Sequence, residues 1–155
     1  MKDRTWIWPV IGAIFCLAAG GASGVASAGG AGSDWYHDLV KTPGTPPPWV
    51  FGPVWSLLYL LMGTAAGLLV VRKAWSVLGW FGVQFLLNLA WSPVFFGSRQ
   101  PGVALGIIVA MLVLIIATLL KAKPVSRTAT WLLVPYAVWV GYATWLNAGI
   151  VVLNH

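Results

Sequence analysis

The sequence predicts an all-α integral membrane protein, with five transmembrane helices in a compact bundle. Three observations carry that expectation. Hydrophobic residues make up 59% of the chain and charged residues 8%, whereas an average soluble domain carries about 25% charged residues. Five apolar segments lie at 6–28, 49–71, 75–96, 101–120 and 129–152. Each runs roughly 20–24 residues, the length that takes a helix across about 30 Å of hydrocarbon. Polar or Gly/Pro-rich breakers separate the segments, and the short ones force neighbouring helices to run antiparallel. At this length, residues 1–155 are read as a single membrane domain.

The first segment opens with Lys2 and Arg4 and ends near Ala26-Ser27-Ala28, features shared with a cleavable signal peptide. Its apolar run is long for that role. Gly12, Cys16, Gly20, Gly24 and Ala28 also place small residues four apart, the stripe that lets helices approach closely in lipid. The segment is therefore read as a retained helix. Cys16, the one cysteine, has no disulfide or CxxC partner and reads as a small packing residue. The stretch 29–48 is the longest loop, and its Asp34, His37 and Asp38 read as solvated charges.

The second segment is entered through Pro46-Pro47-Pro48 and Trp49, a rigid mouth with an interfacial anchor. Trp55 and Tyr59, four apart, share one helical face. On the third segment Gln84, Asn88 and Ser92 are four apart, with Pro93 next and Trp91 beside them. Amides in lipid must face protein, water or ligand. Gln84 reads as interhelical glue, while Asn88 fits glue and a cavity wall equally well. Gly63/Gly67 on the second segment and Gly102/Gly106/Ala110 on the fourth permit dimerisation without specifying a surface. On the fifth, Pro135, Trp139, Ala143 and Asn147 are four apart, and the small Ala143 leaves room beside Trp139. Trp131 and Trp145 sit nearer the ends, as belt residues do. Eleven tryptophans exceed what a belt needs, so some should line an interior suited to a flat hydrophobic ligand.

Charge narrows topology and function. Lys2, Arg4, Arg72, Lys73, Lys121, Lys123 and Arg127 fall on one side of a five-span protein, leaving Lys41 and Arg99 on the other. The positive-inside rule then places the amino terminus in the cytoplasm of a bacterial inner membrane and the 29–48 loop outside. The spans hold no charge, which argues against a proton pump or an ion-coupled carrier. The chain has no Glu, and His37 and His155 lie far apart, so no metal site, paired-carboxylate site or required cofactor is expected. No basic run with interleaved aromatics points to nucleic acid.

The combination of Trp35-Tyr36, Lys41, Pro46-Pro47, Trp49, Pro53-Val54-Trp55, Leu58-Tyr59, Met62-Gly63, the run from Asn88 to Pro93, Phe95-Phe96-Gly97, Arg99-Gln100, Pro135-Tyr136, Trp139, Ala143-Thr144 and Leu146-Asn147 resembles the TspO/MBR family. That family comprises the tryptophan-rich sensory proteins and translocator proteins, including the peripheral benzodiazepine receptor. The resemblance runs in order from Trp35 to Asn147. It implies five helices, usually in a homodimer, around a pocket open toward the first loop. It implies porphyrin ligands such as protoporphyrin IX and haem, sterols in eukaryotic members, and synthetic benzodiazepine-type ligands. Carried over by position, the ligand-binding residues are Tyr36, Pro46, Trp55, Tyr59, Asn88, Trp91, Trp139 and Ala143. Porphyrin degradation in light, reported for some bacterial members, would fall to Trp55 and Trp139; no conventional catalytic set is present. Two departures stand out. Gly44 occupies a place where the family often has tryptophan, and Asn147 is followed by AGIVVLNH, without the Tyr and basic residue of the animal sterol motif.

Overall fold

The computed structural model describes residues 3–27 and 29–155. Lys2 and Ala28, counted above in the charge balance and the small-residue stripe, lie outside the described residues. Among those described there are six α-helices and no strand. Five are long and apolar enough to cross a membrane: α1 (Ile7–Val25), α3 (Pro48–Val71), α4 (Trp75–Ser92), α5 (Pro101–Ala122) and α6 (Arg127–Leu153). The short α2 (Asp34–Asp38) lies in the first loop, after a 3-10 turn at Gly30–Gly32.

Local chemistry sets the ends. Ser33 caps α2 by accepting from the Tyr36 N–H at 3.3 Å, and Ser126 caps α6 by accepting from the Ala129 N–H at 3.1 Å. That cap starts α6 earlier than its apolar run, which the sequence places at 129. Pro48 and Pro101 occupy first helical positions, where a missing N–H costs nothing. At the far end of α4, Pro93 has no N–H to return to Leu89. The helix widens there into a π turn, Pro93–Gly97. The wider turn points two consecutive rings, Phe95 and Phe96, into the protein.

The helices form a ring in the order α1, α3, α6, α5, α4, with α4 returning loosely to α1. The α1–α3 seam is the closest. Gly63 meets the backbone of Gly12 and Ala13, and Gly67 meets Trp8 and Pro9, so neither glycine has room for a Cβ. These small residues therefore bring two helices of one chain together. Gly102 and Gly106 face open space. The core runs through Met62, Leu69, Ile108, Met111, Ile115 and Tyr136, all buried. A second cluster at the loop end joins Tyr36, Phe95, Phe96, Ala104 and Ile150, and plugs α2 into the bundle.

Seven tryptophans (Trp6, Trp8, Trp49, Trp75, Trp80, Trp131 and Trp145) are exposed on the outer surface. The remaining four, Trp35, Trp55, Trp91 and Trp139, are half-buried and are the ones available to an interior. The connectivity gathers Arg4, Arg72, Lys73, Lys121, Lys123 and Arg127 at the end opposite the 29–48 loop.

Candidate functional site

A cavity of about 300 Å³ lies between the loop-side halves of α1, α3 and α4. Its aromatic wall is Phe51, Trp55 and Tyr59 from α3, with Trp91 from α4. The Trp55 and Tyr59 rings lie 5.7 Å apart and tilted by 32°, as their spacing on one helical face requires. Across from them, α1 contributes Gly20 and Ser23. Gly20 touches the Tyr59 ring and has no room for a Cβ, so glycine at this position sets where that ring stands.

The polar floor is a fixed chain of hydrogen bonds. Tyr59 Oη donates to Asn88 Oδ1 at 2.7 Å, and Asn88 Nδ2 donates to Tyr136 Oη at 2.9 Å. Tyr136 Oη in turn donates to Gln84 Oε1 at 2.6 Å. The chain ties α3, α4 and α6 together and orients the Asn88 amide. Asn88 thus fills both roles open to it from sequence, bonding between helices while lining the cavity. Gln84 is interhelical glue. Trp91 is held by its indole N–H donating to Asn147 Oδ1 at 3.0 Å and by stacking on Phe95 at 5.1 Å.

Serines join α1 to α4. Ser23 Oγ donates to the Leu89 carbonyl at 2.7 Å, the acceptor that Pro93 leaves free. Ser27 Oγ donates to Ser23 O at 2.7 Å, so its 2.7 Å contact with Ser92 Oγ is donated by Ser92.

Four of the residues expected at the site, Trp55, Tyr59, Asn88 and Trp91, meet at this cavity. Tyr36 and Pro46 instead line a separate hollow of about 410 Å³ under the first loop, with Lys41, Thr42 and Gly44. Lys41 Nζ lies 4.6 Å from the centroid of the Tyr36 ring and donates to the carbonyls of His37 at 3.1 Å and Leu39 at 3.0 Å. It thereby serves the carboxyl end of α2. Desolvation lowers its pKa, with Asp38 opposing; burial raises that of the Tyr36 phenol.

Trp139 and Ala143 do not reach the cavity. Phe51 stands in between, its ring 6.0 Å from Trp139. Trp139 Nε1 is buried with no hydrogen-bond partner among the described residues. Gly44 adopts φ +85°, a left-handed conformation that favours glycine, and its carbonyl accepts from Tyr142 Oη. A tryptophan would be strained there, so this loop closes through its backbone.

Sequence reasoning missed Phe51, Gly20, Ser23 and the hub position of Tyr136. For Tyr136 a signal existed. Tyr136, Val140, Ala143 and Asn147 are all buried and follow the 3.6-residue period, whereas a strict four-residue row drifts around the helix. Pro135, at the start of that row, is exposed.

Together, fold and cavity define a multi-pass integral membrane protein of five spanning helices, with an aromatic chamber and an amide floor between α1, α3 and α4. Comparison with known proteins is specific. The chain matches the TspO/MBR family over residues 12–153 and belongs to it. It is 40% identical over 148 residues to the tryptophan-rich protein TspO of Chlorobaculum tepidum, covering 90% of each chain. To the translocator protein of Homo sapiens it is 36% identical over 156 residues, covering 97% of this chain and 92% of the other. To the tryptophan-rich sensory protein of Cereibacter sphaeroides it is 34% identical over 139 residues, covering 89% of this chain and 88% of the other.

Proposed function

We propose that this protein binds tetrapyrroles such as protoporphyrin IX and haem, with related hydrophobic ligands, in the cavity among α1, α3 and α4, and serves in their sensing, trafficking or disposal. The observation that carries this is the pairing of an aromatic wall, Trp55, Tyr59, Trp91 and Phe51, with a polar floor at Asn88. Flat conjugated faces stack on such a wall, and a few fixed polar groups set orientation. At about 300 Å³ the chamber is at the small end of ligand sites. A macrocycle would widen it at the α1–α4 seam, where contacts are sparse and serines provide the bonds. The protein acts as a homodimer in the bilayer of a bacterial envelope, with the basic end of the bundle, and hence its amino terminus, in the cytoplasm.

A second reading, light- and oxygen-dependent porphyrin degradation, draws on Trp55. Its indole lines the cavity and lies 6.5 Å from the Tyr136 ring. Trp139, the other tryptophan that resemblance assigns to this chemistry, is screened by Phe51.

The test is saturable quenching of tryptophan emission by protoporphyrin IX, with the Soret shift as an independent readout. Trp55→Phe should weaken binding by about tenfold, the loss of about 1.4 kcal/mol of stacking, and Trp139→Phe by much less. Equal affinities for wild type and a folded Trp55→Phe variant would refute the site. Porphyrin consumed in light by wild type, with consumption but not binding lost in Trp55→Phe, would favour the enzymatic reading.

A further inference from the structure

We propose that the cavity is filled from within the bilayer, through a lateral opening between α1 and α3 in the loop-side leaflet, by a ligand already dissolved in the membrane. This rests on the cavity being the binding site for a flat hydrophobic ligand.

The resemblance implied a mouth toward the first loop, but among the described residues that water-facing side is closed by packing. Gly30 and Ala31 of the 3-10 turn, with Phe51 and Phe96, line the loop end of the cavity. Tyr36 backs them, its ring centroid 6.5 Å from that of Phe51 and 5.4 Å from that of Phe96, and only 4% of it is exposed. The loop that carries Gly30, Ala31 and Tyr36 is fastened at three points to α6 and to Asn154, the residue that follows it. Asn154 holds both polar groups of the Val40 backbone: its Oδ1 accepts from the N–H at 2.9 Å, and its Nδ2 donates to the carbonyl at 2.8 Å. Thr42 lies against Gly149. Tyr142 Oη donates to the Gly44 carbonyl. A path from water through the loop would require these three ties to open and a packed aromatic cluster to part.

The membrane-facing side is open. Gly21 and Gly24 of α1, and Gly52 and Ser56 of α3, line the cavity and are also exposed. A Cβ added at Gly21, Gly24 or Gly52 would meet nothing within 4 Å. The same two helices are in backbone contact in their other halves, at Gly12, Gly63 and Gly67, so the seam is closed at one end of the bundle and open at the other. Gly21 precedes the last residue of α1, and Gly52 follows the first residue of α3, by four positions, about 6 Å of helix rise. Ser56 lies about 12 Å into α3. With the helix ends at the membrane surface, the opening lies within about 12 Å of the loop-side surface. Leu57 and Val25 flank it as exposed apolar side chains. Ser56 returns its hydroxyl to the Gly52 carbonyl at 2.8 Å, so the rim presents no unpaired hydroxyl to lipid. An amphiphile lying flat in the leaflet meets this gap edge-on.

The experiment uses the full chain in phosphatidylcholine vesicles, with protoporphyrin IX as the probe and stopped-flow tryptophan quenching as the readout. Gly24→Leu and Gly52→Leu narrow the opening; both have room, and leucine favours a helix over glycine. Each should lower the association and release rate constants together by about tenfold, as an obstructed passage does in both directions. Tyr142→Phe and Asn154→Ala loosen the loop and should leave both rates unchanged. At fixed total porphyrin, adding empty vesicles should slow association in proportion to the dilution of porphyrin in the bilayer. Unaltered rates in both leucine variants, or faster association in both loop variants, would overturn the lateral route while leaving the binding site standing. No saturable quenching of wild type would overturn the site itself, and the route with it.

Discussion

Tyr136→Phe tests the polar floor at its centre. The substitution removes one oxygen and leaves the ring in place, so packing changes little. Tyr136 is fully buried. Its hydroxyl accepts from Asn88 Nδ2 at 2.9 Å and donates to Gln84 Oε1 at 2.6 Å. Asn88 is 3% exposed and Gln84 1%, so little solvent is at hand to replace either bond. Interhelical hydrogen bonds in membranes contribute about 0.6 kcal/mol on average and up to about 1.7. Two lost bonds, each stranding a buried group, should sit toward the upper end, at about 2–3 kcal/mol. The measurement is reversible unfolding in mixed detergent micelles, followed by tryptophan emission. Adding Gln84→Met to Tyr136→Phe should recover part of the loss, because an apolar pair strands fewer polar atoms than a broken one. A loss below about 0.5 kcal/mol, or no recovery in the double variant, would refute the account of the floor as mutually satisfied amides.

Two other outcomes follow from the caps and the loop. Ser126→Ala removes the acceptor for the Ala129 N–H and should cost about 1 kcal/mol of stability in the same unfolding experiment. Burial raises the Tyr36 pKa, so above the usual tyrosine value of about 10 the unfolded chain releases the proton before the folded one does. The contribution is therefore complete below pH 10 or so and is lost as pH climbs through the raised value. Comparing alkaline unfolding of wild type and Tyr36→Phe isolates it, and the two curves should diverge only in that range.

The bundle was legible because the bilayer imposes a single rule on the chain: twenty or so apolar residues per crossing, with every backbone group satisfied within the helix. The cavity was half legible. Trp55 with Tyr59, and Asn88 with its neighbours, are separated by single helical turns, over which a four-residue row and the true period nearly coincide. On α6 the row was carried through three turns, and the drift replaced Tyr136 with the exposed Pro135. Other features depend on partners distant in sequence. Nothing about Ser23 alone announces that it will occupy a carbonyl freed by Pro93. Phe51 screens Trp139 only because the ring of helices brings α3 beside α6.

The glycines of α1 and α3 show how one helix pair can serve two opposed needs. At Gly12, Gly63 and Gly67 the missing side chains let backbones touch, and dispersion and packing hold the seam without a buried charge. At Gly21, Gly24 and Gly52 the missing side chains leave space instead. Which outcome a glycine gives depends on what faces it. In the closed half it faces another backbone. In the open half α1 meets α3 through the ring of Tyr59, which lies against Gly20, and the cavity separates the rest of the two helices. A ring of the cavity wall thus stands where the closed half has backbone against backbone. Closure and opening are therefore coupled within a single seam, and the small-residue stripe of α1 changes function along its length without changing composition.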